Sequence, residues 1–373
     1  MSRIIGVVGL GTMGIGIAQV FASAGFQVIA TDAHAPTRDS AIARLGAALQ
    51  SRVSAGKLTE ADRDGTLARL SVVKDLTAFA PADMVIEAII ETTPAKSALF
   101  AALEAIVAAD TVLATNTSSL PIHQISTGLA HSERVLALHF FNPPPAMKPV
   151  ELAPHVGTDP AAVTRAEALT KAAGKTVILC PDRPGFIVNR CARPFYGEAL
   201  ALLEEGRPAA KIDAAMQAAG YRLGPFALID LIGADINLAA TEGLSRAMDG
   251  HPRYLVFASL KAQVASGNLG RKSGLGFIFP DTSTAPPPDA AAIALRIEAT
   301  LVNEACWLLA EGGTSRDDID TAMRLGLNFP RGPFQMLAAH GPAAIRAALA
   351  ALKARAPAAL KPRYHPAPAL EQP

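Results

Sequence analysis

Three groups of residues in this sequence could do chemistry by their type and spacing. The first is Gly9-Leu10-Gly11-Thr12-Met13-Gly14, which follows directly on the apolar run Ile4–Val8. Glycine at 9 permits a tight turn, glycine at 11 lets backbone approach a pyrophosphate, and glycine at 14 lets a helix pack close to its strand. The first amides of that helix, from Thr12 and Met13 onward, would face the phosphates. A second run, Gln27–Thr31, ends in Asp32. Its carboxylate can accept hydrogen bonds from adenosine ribose hydroxyls and would repel a 2′-phosphate, which favours NAD over NADP. The second group is His139, opening His139-Phe140-Phe141-Asn142-Pro143 after the run at 134–138, with Glu151 twelve residues on. An imidazole of ordinary pKa, about 6.5, can take a proton near neutral pH. The histidine taken alone reads more often as a structural strand-end residue. The third group is the polar stretch Thr115-Asn116-Thr117-Ser118-Ser119, into which a buried-looking run empties.

The elements that would position these groups follow from periodicity. Up to about residue 180, short β-branched runs alternate with longer alanine- and leucine-rich stretches, the pattern of a parallel sheet covered by helices. Strands are expected at 4–8, 27–31, 84–88, 111–114, 134–138 and 176–179, with helices at 13–24, 36–55 and 94–108. In a doubly wound sheet ligands gather at the carboxyl edge, so the glycine loop, the 115–119 loop and His139 all belong to that edge. Cys180-Pro181-Asp182-Arg183-Pro184-Gly185 marks a boundary, after which helical periodicity dominates. A repeat is legible beyond it. Gly197-Glu198-Ala199-Leu200, Ile212-Asp213-Ala214-Ala215-Met216 and Gly224-Pro225-Phe226 return as Asn303-Glu304-Ala305-Cys306, Ile319-Asp320-Thr321-Ala322-Met323 and Gly332-Pro333-Phe334, at offsets of 106 to 108 residues. The expected fold is α/β, a Rossmann-type doubly wound domain over 1–183, followed by two related all-α units over 184–280 and 290–355. The proline-containing segment 356–373 reads as an extended tail.

Composition narrows the function classes. Lysine plus arginine, 34, balance aspartate plus glutamate, 33, so no global field argues for nucleic acid or an anionic membrane. Cys180, Cys191 and Cys306 are odd in number and widely separated, which signals neither a disulfide framework nor a metal site. The amino-terminal apolar run is too short for a signal peptide or a span and lands on glycines. A soluble cytoplasmic protein without metal is expected.

At this point a resemblance becomes specific. The chain resembles the L-3-hydroxyacyl-CoA dehydrogenase family from residue 3 to about 280. Its carriers are the glycine loop, Ile86-Glu87-Ala88-Ile89-Ile90-Glu91, Asn116-Thr117-Ser118-Ser119, His139-Phe140-Phe141-Asn142-Pro143 and Pro184-Gly185-Phe186-Ile187-Val188-Asn189-Arg190. The resemblance implies NAD-dependent oxidation of an (S)-3-hydroxyacyl-CoA, or the reverse, with His139 as base and Glu151 orienting and charge-stabilising it. It further implies that Ser118 and Asn189 hydrogen-bond the substrate oxygen, that Glu91, Lys96, Asn142 and Lys272 contact NAD, and that Lys57, on the long second helix, meets CoA. Gln50 stands where the family has a serine, so the CoA contacts differ in detail.

The tandem helical units resemble the longer members of this family, among them 3-hydroxyadipyl-CoA dehydrogenases, whereas simpler members carry one unit and pair as dimers. An internal pseudo-dimer or a homodimer through the helical units is expected. Two competing functions are another β-hydroxyacid dehydrogenase and a non-catalytic, crystallin-like relative. The first type uses a lysine base, which the His139 and Glu151 pair opposes; intact Ser118, His139, Glu151 and Asn189 oppose the second.

Overall fold

The computed structural model describes residues 3–281 and 284–371. The chain divides into two units, residues 1–183 and 184–373. In the first, apolar β-branched runs become the strands of one eight-stranded sheet: β1 (Ile4–Val8), β2 (Gln27–Thr31), β3 (Leu70–Val72), β4 (Met84–Glu87), β5 (Val112–Thr115), β6 (Val135–Phe140), β7 (Pro149–Pro154) and β8 (Thr176–Leu179). Their order is β3-β2-β1-β4-β5-β6-β7-β8. All neighbours pair in parallel except β6 with β7, which are antiparallel. The central strands are buried along nearly their whole length, which is why they read as continuous apolar runs rather than alternating ones. Phe21, Ile17 and Leu10 on one side pack with Leu136, Leu138 and Phe140 in the same core.

Two of these strands carried no sequence expectation. β3 is only three residues long, and β7 lies between Pro149 and Pro154. The helix expected over 36–55 is interrupted at Ser40 and becomes Ala35–Asp39 and Ala41–Ser54. It therefore ends before Lys57, which follows Gly56 (φ +67°) in the next turn, exposed.

The second unit is helical, and its two halves repeat element by element. Val188–Glu204, Ala209–Ala218, Pro225–Ile232 and Ala234–Ala247 are followed by a 3₁₀ turn at Pro252–Tyr254 and the helix Ala258–Ala265. Ala290–Ala310, Arg316–Leu327, Pro333–His340 and Pro342–Arg355 are followed by a 3₁₀ turn at Ala358–Tyr364 and the short helix Pro368–Glu371. Of the segment expected as an extended tail, residues 356–371 are thus folded, and 372–373 lie outside the described residues. Arg363 and Tyr364 are buried because both reach Glu198, a fully buried carboxylate of the first half. A chain that pairs a buried charge cannot stay extended in solvent.

Reciprocal ion pairs join the halves. Arg190 Nε donates to Glu304 (2.7 Å), and its two terminal nitrogens donate to Glu311. Arg296 Nε donates to Glu198 (2.7 Å), and its terminal nitrogens donate to Glu205. Residue i contacts j while the equivalent of j contacts the equivalent of i, the signature of a two-fold relation.

Candidate active site

The glycine loop leaves β1 with Gly9 at φ +95°, a conformation that an L side chain adopts only under strain. A Cβ on Gly14 would lie 1.7 Å from the Gly9 carbonyl oxygen, so only glycine lets the helix Thr12–Ser23 start this close to its strand. At Gly11 a Cβ would meet nothing within 4 Å, so the loop's outer side is open. No side chain caps the helix, so its first-turn amides keep their hydrogen-bonding capacity and the positive end of the helix dipole for an anion. Asp32, just past β2, accepts from the Leu10 amide (2.7 Å) and the His34 amide (2.8 Å). It braces the loop, and a carboxylate with about four lone-pair sites retains acceptors for hydroxyls. These features fit a dinucleotide.

His139 lies inside β6, one strand pair from its end, rather than just past the strand. Antiparallel pairing places Glu151 of β7 directly opposite it. Directly opposed residues on neighbouring strands point to the same face. The result is a bond of 2.7 Å between His139 Nδ1 and Glu151 Oε2, with the carboxylate fully buried and the imidazole 8% exposed. With Glu151 ionised, the proton of this bond sits on Nδ1, and the tautomer makes Nε2 the basic nitrogen. Phe141 packs against the imidazole at 4.8 Å between ring centroids. Asn116, at the end of β5, accepts from the Phe140 amide (2.8 Å) and so ties the 115–119 loop to the end of β6.

The 115–119 loop is held by a carboxylate. Glu91 Oε1 accepts from the Thr117 hydroxyl (2.6 Å), the Ser118 amide (3.1 Å) and the Ser119 hydroxyl (3.3 Å). Burial would raise its carboxyl, but the Lys96 ammonium and these donors outweigh burial and hold it below the usual carboxylate range. Lys96 itself is 1% exposed and lies between Glu87 and Glu91.

The remaining expected residues fall elsewhere. Asn142 is exposed after β6, in a cis peptide with Pro143. Gln50 is engaged by Arg63 and Ser54. Asn189 is half-buried in the first turn of Val188–Glu204, and Lys272 pairs with Asp235 (2.5 Å), both in the second unit. The sequence reading assigned no role to Glu87, Thr115 or Arg190. No cluster that could hold a metal ion occurs among the described residues. Nor, among them, is any helix long and apolar enough to cross a membrane.

Comparison with known proteins adds the following. Residues 4–183 match the family model for the 3-hydroxyacyl-CoA dehydrogenase NAD binding domain, and residues 185–279 and 293–372 match that for the 3-hydroxyacyl-CoA dehydrogenase C-terminal domain. The chain is 46% identical over 274 residues to a 3-hydroxyadipyl-CoA dehydrogenase of Escherichia coli, a match covering 73% of this chain and 58% of that protein. It is 39% identical over 278 residues to a 3-hydroxybutyryl-CoA dehydrogenase of Mycobacterium tuberculosis, covering 73% of this chain and 96% of that one. A crystal structure of 3-hydroxybutyryl-CoA dehydrogenase from E. coli K12 is similar over 99% of this chain and 98% of its own, with TM-score 0.91 and 34% identity.

Proposed function

The chain belongs to the 3-hydroxyacyl-CoA dehydrogenase family, and from that premise we propose that it interconverts an (S)-3-hydroxyacyl-CoA and the 3-oxoacyl-CoA with NAD. The observation that carries this reading is the His139 and Glu151 pair, set by strand register on the edge that also bears the glycine loop.

Bound NAD supplies the hydride acceptor for C3. The remaining work falls to the chain. His139 Nε2 takes the C3 hydroxyl proton, while Glu151 fixes the ring and stabilises the imidazolium that forms. Ser118 and Asn189 hydrogen-bond the C3 oxygen, and both can donate or accept as hydroxyl becomes carbonyl. Gly9, Gly11, Thr12, Met13, Gly14 and Asp32 hold the dinucleotide, with Glu91, Asn142 and Lys272 as further contacts. Lys96, enclosed by two carboxylates, serves NAD through Glu91. Lys57, exposed, meets the CoA phosphates.

The substrate is a short acyl group such as 3-hydroxybutyryl or a dicarboxylic one such as 3-hydroxyadipyl, and its place is in cytoplasmic fatty-acid β-oxidation or related acid breakdown. The second helical copy acts as a built-in partner for the first, which the reciprocal arginine and glutamate pairs support.

The test follows NADH absorbance with acetoacetyl-CoA and with a dicarboxylic 3-oxoacyl-CoA. Oxidation of NADH by at least one is expected, and none by either overturns the reading. His139→Gln should lower kcat by roughly 10² to 10⁴ while NADH still binds.

A further inference from the structure

β4 ends on a carboxylate that none of these roles uses. Glu87 is the last residue of the strand and is fully buried. Its Oε1 accepts from the Lys96 ammonium and from the Ile89 amide, both at 2.6 Å. Its Oε2 accepts from the Thr115 hydroxyl at 2.7 Å, at the end of the neighbouring β5. An unpaired carboxylate buried here would be strongly disfavoured, and these three donors are what the site offers against that cost.

Two hydrogen-bonded routes run from Glu87 to the 115–119 loop. In one, Lys96 lies 3.1 Å from Glu91 Oε2, and the other oxygen of Glu91 accepts from Thr117 and from the Ser118 amide. In the other, the Thr115 hydroxyl donates to Glu87 and accepts from the Thr117 amide at 3.2 Å. Lys96 is therefore shared between two carboxylates. Without Glu87 its whole charge would fall on Glu91, and Thr115 would lose the acceptor that orients it. Both changes converge on the backbone of Thr117 and Ser118.

We propose that Glu87 is a positioning residue that sets where Ser118 meets the substrate C3 oxygen, acting through Lys96 and Glu91 and through Thr115. This rests on the reading of Ser118 as a ligand of that oxygen. Displacing a reacting contact by about 1 Å can cost on the order of 10²-fold in rate.

The experiment is a double-mutant cycle of Glu87→Gln with Ser118→Ala, reading kcat and KM with a 3-oxoacyl-CoA and NADH affinity by fluorescence titration. Glu87→Gln is expected to lower kcat, read at saturating NADH, about 10- to 100-fold, with any weakening of NADH affinity passed on through Glu91 smaller than that loss. In the Ser118→Ala background the same change should cost less than about threefold, because the group it positions is gone. Equal losses in both backgrounds, an unchanged kcat, or a loss confined to NADH affinity would each overturn the proposal. Should Glu87→Gln fail to fold, Thr115→Val, which keeps every charge, enters the same cycle; a smaller but equally non-additive loss is expected, and additive losses overturn it. An inactive parent enzyme sinks the functional reading and this inference with it, whereas an active parent with additive losses sinks the inference alone.

Discussion

In the first helical copy the residue before Arg190 is Asn189; in the second, the residue before Arg296 is Leu295. Around that difference the two scaffolds coincide. Each arginine reaches the other copy's buried glutamate through Nε and a second glutamate through its fork. A Pro-Arg-Tyr turn from one copy closes over each buried glutamate: Tyr254 donates to Glu304, with Arg253 alongside it at 2.9 Å, and Arg363 and Tyr364 donate to Glu198. Each copy also has an aspartate accepting two amides at the start of its Pro-Phe helix, Asp213 from Phe226 and Ala227, Asp320 from Phe334 and Gln335. What the duplicate has not kept is the polar side chain that the family resemblance puts at the substrate oxygen. It has also gained a buried group of its own, Glu298 bonded to Tyr221 and His340, where the first copy has Ala192. The difference teaches that the second copy retains the residues that bind the copies together and not the one that the family resemblance assigns to substrate.

Breaking the shared scaffold should have the largest effect. Glu304→Ala takes the acceptor from Arg190 Nε, leaving that guanidinium only Glu311, and from the buried Tyr254 hydroxyl, and removal of one partner from a buried pair costs about 3–5 kcal/mol. Glu198→Ala should cost the same kind of energy but less of it: Arg296 bonds Glu198 at 2.7 Å just as Arg190 bonds Glu304, but the other donors to Glu198, Arg363 and Tyr364, stand at 3.2 and 3.3 Å, whereas Tyr254 donates to Glu304 at 2.5 Å. Urea unfolding checks both. Losses below about 1 kcal/mol, the level of surface pairs, would mean that the reciprocal pairs do not hold the copies.

Chemistry should be lost without stability at the position that differs. Asn189→Leu makes the first copy like the second. Losing one group that stabilises a developing oxyanion costs on the order of 10²-fold in kcat, and the melting temperature should hold, since Asn189 is only half-buried. Adding Leu295→Asn should restore nothing. Recovery of turnover in the double variant would mean that the second copy can serve substrate, and the asymmetry would fall.

Much of this was legible in the sequence, and where it was not, the reasons are physical. The glycine loop, Asp32 and the strand bearing His139 follow from local rules, because a tight turn and a buried run each have a short-range signature. The His139 and Glu151 contact depends on β7, which its flanking prolines disguise; histidine and glutamate twelve apart carry no register until two strands pair antiparallel. The burial of Lys96 has no local signature, because nothing in its own helix announces Glu87, a partner nine residues back on another element. The fate of 356–373 was more accessible. Pro362-Arg363-Tyr364 repeats Pro252-Arg253-Tyr254, but three residues shared at an offset of 110 are easily passed over among prolines. Arg190 and Arg296 share the 106-residue offset of their glutamates, and that coincidence was available to sequence alone.

The smallest expected effect separates the two aspartates. Burial pushes the Asp213 carboxyl up to about 7, against the pull of its two amide donors, while Asp320, less deeply buried, is raised from the same ordinary value. A carboxyl whose folded pKa exceeds its unfolded one binds more protons in the folded state between those values. Its stabilising contribution is therefore complete below about pH 4 and is lost as pH rises through about 7. The slope in that window is at most about 1.4 kcal/mol per pH unit for one group. Asp213→Asn, which cannot ionise, should remove this component, so the stability of the parent relative to the variant should decline between pH 5 and pH 8. Asp320→Asn should show the same sign with a shallower slope. Urea midpoints across that range decide the matter: parallel profiles for the parent and Asp213→Asn would show that the carboxylate is ionised in place, held by the amides of Phe226 and Ala227, and that the two copies cap this helix with the same charge.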